Sequence, residues 1–164
     1  MDIRRILKHL FFTDWQLRQA FSPVCLEAIA RAIRSSEQTH VGEIRFAVEG
    51  ALEGLPLFKG QTAGERAVEV FSQLRVWDTE GNSGVLIYVL LADHAVEIVA
   101  DRGIHRCAGT PTWDAICRQM EASFAAADFQ AGALQGIETV SRTLQAHFPG
   151  QGANELPDEP VLLR

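Results

Sequence analysis

The chain is short of the features that announce a function. It has three cysteines, Cys25, Cys107 and Cys117, far apart and with no C-x-x-C pair. That fits small buried or idle thiols in a reducing compartment better than a disulfide framework or a zinc site. Basic residues are outnumbered, 15 Lys and Arg against 21 Asp and Glu, with a formal charge of −6. This balance argues against binding nucleic acid, which wants a basic face. No long apolar run exists. The longest, Gly84 to Ala92, falls far below the roughly 18–20 residues of a membrane span. The N-terminus has no long apolar core or small-residue cleavage site, so it does not read as a signal peptide. The expected location is cytoplasmic. There is no phosphate-binding G-x-x-x-x-G-K, no G-x-G-x-x-G, no H-E-x-x-H and no G-x-S-x-G. The five histidines show no pair at helical ligand spacing.

What remains is an ordinary globular composition, 47% apolar and 22% charged over 164 residues, enough to bury one domain's core. Residues 1–20 read as a short amphipathic helical segment. Ile3, Ile6, Leu7, Leu10 and Phe11 fall at helical spacing, with Arg4, Arg5 and Lys8 between them. Such a segment either lies on an anionic membrane surface or docks on its own domain.

Ser22-Pro23 is a helix start, a cap residue followed by proline at the first helical position. Glu43 to Val48 alternates as a strand, and residues 49–61 read as a loop. Thr62 to Glu65 matches a capping box. Gly84 to Leu91 is continuously apolar, which marks a central strand buried on both faces. Asp93-His94 is a turn, and Ala95 to Ala100 a third strand. Thr110-Pro111 starts one more helix, and a last runs from about Gln130 to His147. Gly132 and Gly136, four apart, would permit close helix packing there. Residues 149–164, rich in proline and glycine, read as a tail that ends the fold.

This order predicts an α/β fold: a three-layer α/β/α sandwich, a small mixed sheet with helices on both faces. The helical crossover makes the first two strands parallel, and the short turn makes the second and third antiparallel. One end of the sheet then collects the start of strand one, the loop before strand two and the end of strand three. Glu43, Asp78, Glu80, Asn82, Asp101 and His105 would share that rim, and Asp93 and His94 would lie at the other end. Oxygen donors in such number suit Ca2+ or Mg2+, and an ion there would hold a phosphate or activate water. The alternative is a solvated acidic surface. Asp78, Glu80 and Asn82 imitate the start of an EF-hand loop, but Ser83 and Val89 occupy its glycine and glutamate positions, so an EF-hand is rejected. Trp77 either packs or lines the rim.

Several segments together carry a family likeness: HVGEIRFAVE (40–49), ERAVEVFSQL (65–74), EGNSGVLIYVLL (80–91) and VEIVADRGI (96–104). Met120-x-x-x-Phe124, Phe129-x-x-Gly132 and Gly136-Ile137 follow in order. On these the chain resembles the TPM domain family, named from a thylakoid lumen protein, a photosystem II repair protein and an acetylcholine-receptor modulator. The likeness spans about Ser22 to Phe148, the 22–148 domain, with 1–21 before it and 149–164 after it. It is similar to the cytosolic bacterial branch. The resemblance implies a three-layer sandwich with a cleft at one sheet end. Some members bind calcium or another divalent metal there, one plant member is assigned acid phosphatase activity, and others assist membrane complexes without catalysis. His105 stands where many members carry glutamate.

Two functions follow as expectations. One is a binding module without chemistry, its cleft receiving a partner and residues 1–20 holding it to a membrane protein or surface, peripheral at the inner face. The other is a metal-dependent phosphatase-like hydrolase, with Asp78, Asp101 and Glu43 on the ion and Arg102 or His105 meeting the phosphate or leaving group.

Overall fold

The computed structural model describes residues 2–163. Its elements run α1 (Ile3–Leu10), α2 (Asp14–Ala20), α3 (Pro23–Ser36), β1 (Glu43–Glu49), α4 (Gly54–Phe58), α5 (Ala63–Gln73), β2 (Gly84–Leu90), β3 (Ala95–Ala100), α6 (Arg102–Ala108), α7 (Thr110–Ala125), α8 (Phe129–His147) and β4 (Val161–Leu163). A 3-10 turn at Leu91–Asp93 joins β2 to β3, with His94 left-handed at φ 54°.

The helix starts lie where the cap residues put them. Ser22 accepts from the Cys25 N–H with Pro23 behind it, and Thr62 and Glu65 close a reciprocal capping box. Each arrangement satisfies backbone donors that a helix leaves open at its first turn.

The sheet order is β3-β2-β1-β4. β1 and β2 are parallel with Glu43 opposite Gly84, and β2 and β3 antiparallel with Val85 opposite Ala100. Both central strands are buried along their length. Strand side chains alternate between faces, and each face has its own core. Ile44, Phe46, Val48, Val85, Ile87 and Val89 pack with α2, α3, α6, α7 and α8. Ala47, Leu86, Tyr88 and Leu90 pack with α4, α5, Val76 and Leu156. This is the three-layer α/β sandwich with a mixed sheet. Between α7 and α8 the glycines permit the close approach that the sequence suggested: a Cβ on Gly132 would stand 2.7 Å from the Ser123 Cβ.

The chain departs from the sequence reading at both termini. Residues 1–20 form two helices, α1 and α2. Thr13 caps the second with its own capping box. The C-terminal segment is no loose tail. It crosses the sheet end with Leu156 and Asp158 buried, then adds β4 parallel to β1, Val161 opposite Ala47. The physical reason lies in β1, which carries a buried polar row. Glu43 accepts from the N–H groups of Glu155 (3.1 Å) and Leu156 (3.2 Å). Arg45 donates to the carbonyls of Pro157 and Glu159. Glu49 binds Arg66 at 2.9 and 3.0 Å and the Tyr88 hydroxyl at 2.6 Å. Buried charges need such partners, and the C-terminal backbone supplies them for Glu43 and Arg45.

Candidate functional site

The predicted rim exists as a place in the fold. Glu43 N–H donates to Ser83 O at 3.3 Å and Asp101 N–H to Gly84 O at 2.8 Å. These contacts put the start of β1, the loop before β2 and the end of β3 together. The side chains, however, serve separate local needs. Glu43 holds the C-terminal backbone as described. Asp101 caps α6, with Oδ1 accepting from the Arg102 N–H at 2.7 Å. Its Oδ2 is buried without a partner, as is the Ser83 hydroxyl. Asn82 turns the loop with a left-handed φ of 48°, and its carbonyl accepts from the Ile104 N–H at 3.3 Å. Gly103 is required there, because a Cβ would lie 2.9 Å from the Gly81 carbonyl.

Asp78, Glu80, Arg102 and His105 are exposed. The Glu80 N–H donates to the Glu155 carboxylate at 3.0 Å. Trp77 is half exposed beside this loop. Among the described residues no three His, Cys, Asp or Glu side chains are grouped so that they could hold a metal ion. The topology thus brings Glu43 and Asp101 to one sheet end, without a convergent ligand set.

Next to Glu43 lies a cavity of about 370 Å³, lined by Arg34, Glu37, Gln38, His40, Val41, Glu43 and residues 151–154. Sequence reasoning missed Glu37 and His40, which sit in the connection between α3 and β1. Glu37 Oε1 accepts from the Ile44 N–H at 3.0 Å. Burial, with the carboxylates of Glu43 and Asp158 nearby, pushes its carboxyl up to about 8. Burial and the same kind of neighbours also raise Glu43. His40 is 1% exposed. Its Nδ1 donates to Gly42 O at 2.9 Å, its Nε2 has no partner, and burial lowers its pKa. The sequence signal for this corner was the acidic run Glu155 to Glu159, which supplies Asp158 to Arg34 at 2.9 Å.

At the opposite sheet end stands Asp93, as the topology required. Arg5 Nε reaches its two oxygens at 2.9 and 3.0 Å, and Nη2 donates at 2.7 Å. His9 Nε2 lies 2.9 Å from Oδ1, while Nδ1 accepts from the Leu52 N–H at 2.8 Å. Since Nδ1 accepts, Nε2 carries the proton toward Asp93. Arg5 and His9 are four apart, on one helix face. So α1 docks by Arg5 and His9, with half-buried Ile6 packed on the core beside them. The opposite side carries Ile3, Leu7, Leu10 and Phe11, exposed by 65, 47, 60 and 76%, and Trp15 of α2 follows at 68%. Exposed Arg4 and Lys8, four apart, line one edge of it. A core-packing helix shows the reverse orientation. Beside α2 an apolar cavity of about 410 Å³ runs between Phe12, Ala20, Leu91, Phe124 and Phe129.

A mixed four-stranded sheet sandwiched by helices, with connections crowded at each sheet end, defines the class as an α/β sandwich. Sequence comparison narrows it: the TPM domain matches residues 16–143, and the chain belongs to the TPM domain family. It is similar to the BA42 protein from the psychrophilic bacterium Bizionia argentinensis, solved by NMR. Identity is 30% over 87% of this chain and 94% of that one, with a TM-score of 0.75. The N-terminal domain of a P. gingivalis protein shares the fold at a TM-score of 0.64, with 15% identity over 77% of this chain and 78% of that one. No curated protein matches.

Proposed function

We propose that the chain is a binding module that rests on an anionic membrane surface through the face formed by α1 and Trp15. The observation that carries this reading is the orientation of α1: Arg5 and His9 inward on Asp93 with Ile6 on the core, and Ile3, Leu7, Leu10 and Phe11 outward with Arg4 and Lys8 along one edge. A helix that offers apolar and aromatic side chains with cations along one edge suits the boundary between headgroups and acyl chains. Each cation near an anionic surface contributes about 1 kcal/mol. Burying the apolar side chains adds roughly 1–3 kcal/mol each when complete. No helix among the described residues is long and apolar enough to cross a membrane, so the proposed attachment is peripheral. The rest of the fold then presents its rim to a partner, in the role of a non-catalytic helper.

The test is co-sedimentation with vesicles of phosphatidylglycerol and phosphatidylcholine. The Leu7→Glu/Phe11→Glu variant, changed only at exposed sites, should bind at least tenfold more weakly, and neutral vesicles should bind poorly. Equal sedimentation of variant and parent would refute the proposal. The metal-dependent hydrolase reading has less support, because Asp78, Glu80, Asn82 and Asp101 have separate placements and no nucleophile is committed.

A further inference from the structure

We propose that the cavity between the end of α3 and residues 151–154 is a binding site for a small primary amine, its ammonium held by Glu37, Glu43 and the Nε2 of His40. The assignment starts from an imbalance of partners. Two carboxylates line it, Glu37 after α3 and Glu43 on β1, and Asp158 of the C-terminal segment lies near both. Two cations face them, and neither bonds Glu37. Arg34 pairs with Asp158 and Glu159; Arg45 donates to the carbonyls of Pro157 and Glu159, and its buried Nε has no partner. Glu37 is left to hold a proton or meet a further cation.

His40 is the second, independent observation. Its Nδ1 faces a carbonyl, which can only accept, so Nδ1 carries the hydrogen. Nε2 is then a bare lone pair, buried without a donor, on a side chain that lines the cavity, and an unsatisfied buried acceptor costs about 1–3 kcal/mol. A ligand with several N–H donors and a positive charge meets both needs. An ammonium offers three donors and tolerates acceptors that do not converge as metal ligands must. The cavity, about 370 Å³, lies in the range of small-ligand sites.

Binding an ammonium favours the ionised form of Glu37, whose carboxyl is pushed up to about 8. The competent fraction therefore grows with pH, and affinity should be roughly fifteen-fold higher at about pH 8 than at about pH 6.5. The proposal does not depend on the membrane reading, which concerns the other end of the sheet.

The experiment titrates the full chain with methylammonium chloride and with 1,4-diaminobutane against sodium chloride at matched ionic strength. Amide NMR and the imidazole nitrogen shift of His40 report the result. Saturable shifts confined to residues 34–43 and 151–158, tighter at higher pH, are expected. Glu37→Gln keeps an acceptor for the Ile44 N–H and should weaken binding at least tenfold while reducing the pH dependence to that of Glu43. Three outcomes overturn the site: no saturable shift, pH-independent binding by the parent, or equal binding by Glu37→Gln. Calcium chloride producing the same shifts would overturn the ligand class.

Discussion

Arg5 and Asp93, 88 residues apart, form a two-pronged ion pair with three N–H···O contacts between 2.7 and 3.0 Å. With His9 on the same carboxylate, this pair fixes which side of α1 faces outward. Burial alone would raise the Asp93 pKa, but the hydrogen bonds and charges of Arg5 and His9 outweigh it and hold the group below its usual range. A carboxylate depressed in the folded state stabilises fully above its unfolded value, and the contribution is lost as pH falls through the folded one. Amide exchange at residues 4–12 should therefore accelerate as pH falls below the ordinary carboxylate range, after correction for intrinsic rates. Asp93→Asn should show the faster exchange already at neutral pH. Unchanged protection in Asp93→Asn would mean that α1 is held by other contacts.

Glu37 has the opposite sign. Its folded pKa is raised to about 8, chiefly by burial, so the folded state binds the extra proton. Stability from this group falls as pH rises through the ordinary carboxylate range toward about 8, and then levels off. Glu37→Gln, which resembles the protonated group, should melt a few degrees above the parent at about pH 8.5 and close to it at about pH 5. Melting curves by circular dichroism decide this; a variant less stable at both values would contradict the assignment.

The Glu49–Arg66–Tyr88 cluster is structural. Glu49 is 4% exposed, so Arg66→Ala strands a buried carboxylate and should cost about 3–5 kcal/mol in urea unfolding. Tyr88→Phe removes one hydrogen bond to the same carboxylate and should cost less, about 1–2 kcal/mol. Equal losses would indicate that the Arg66 charge contributes little.

The sequence made the central sheet legible because β2 is apolar at every position from Val85 to Leu90, leaving no face for water. Ser22-Pro23 and Thr62 to Glu65 marked helix starts through backbone chemistry confined to four residues. Long-range partners were not legible. Glu43 and Arg45 read as the polar side of an alternating strand and Glu49 as the start of a loop, yet all are buried, with partners from the C-terminal backbone and Arg66. Nothing local in residues 149–164 signals that Glu43 and Arg45 capture it and lead it into β4. The spacing of Ile3, Ile6, Leu7, Leu10 and Phe11 defined a stripe, but periodicity does not say which part of a helix docks, and only Ile6 of the five packs on the core. That depended on Asp93. The rim was legible as a location because topology sets strand ends; which side chains converge there depends on loop geometry, and Asn82 and Gly103 spend theirs on packing α6.

The most direct measurement of the membrane reading is the emission of Trp15 in the Trp77→Phe variant, where buried Trp113 gives a constant background. On adding phosphatidylglycerol vesicles, Trp15 emission should shift to shorter wavelength and become protected from aqueous iodide, and Leu7→Glu/Phe11→Glu should abolish both changes. An emission maximum and iodide quenching that stay unchanged with vesicles present would contradict the account.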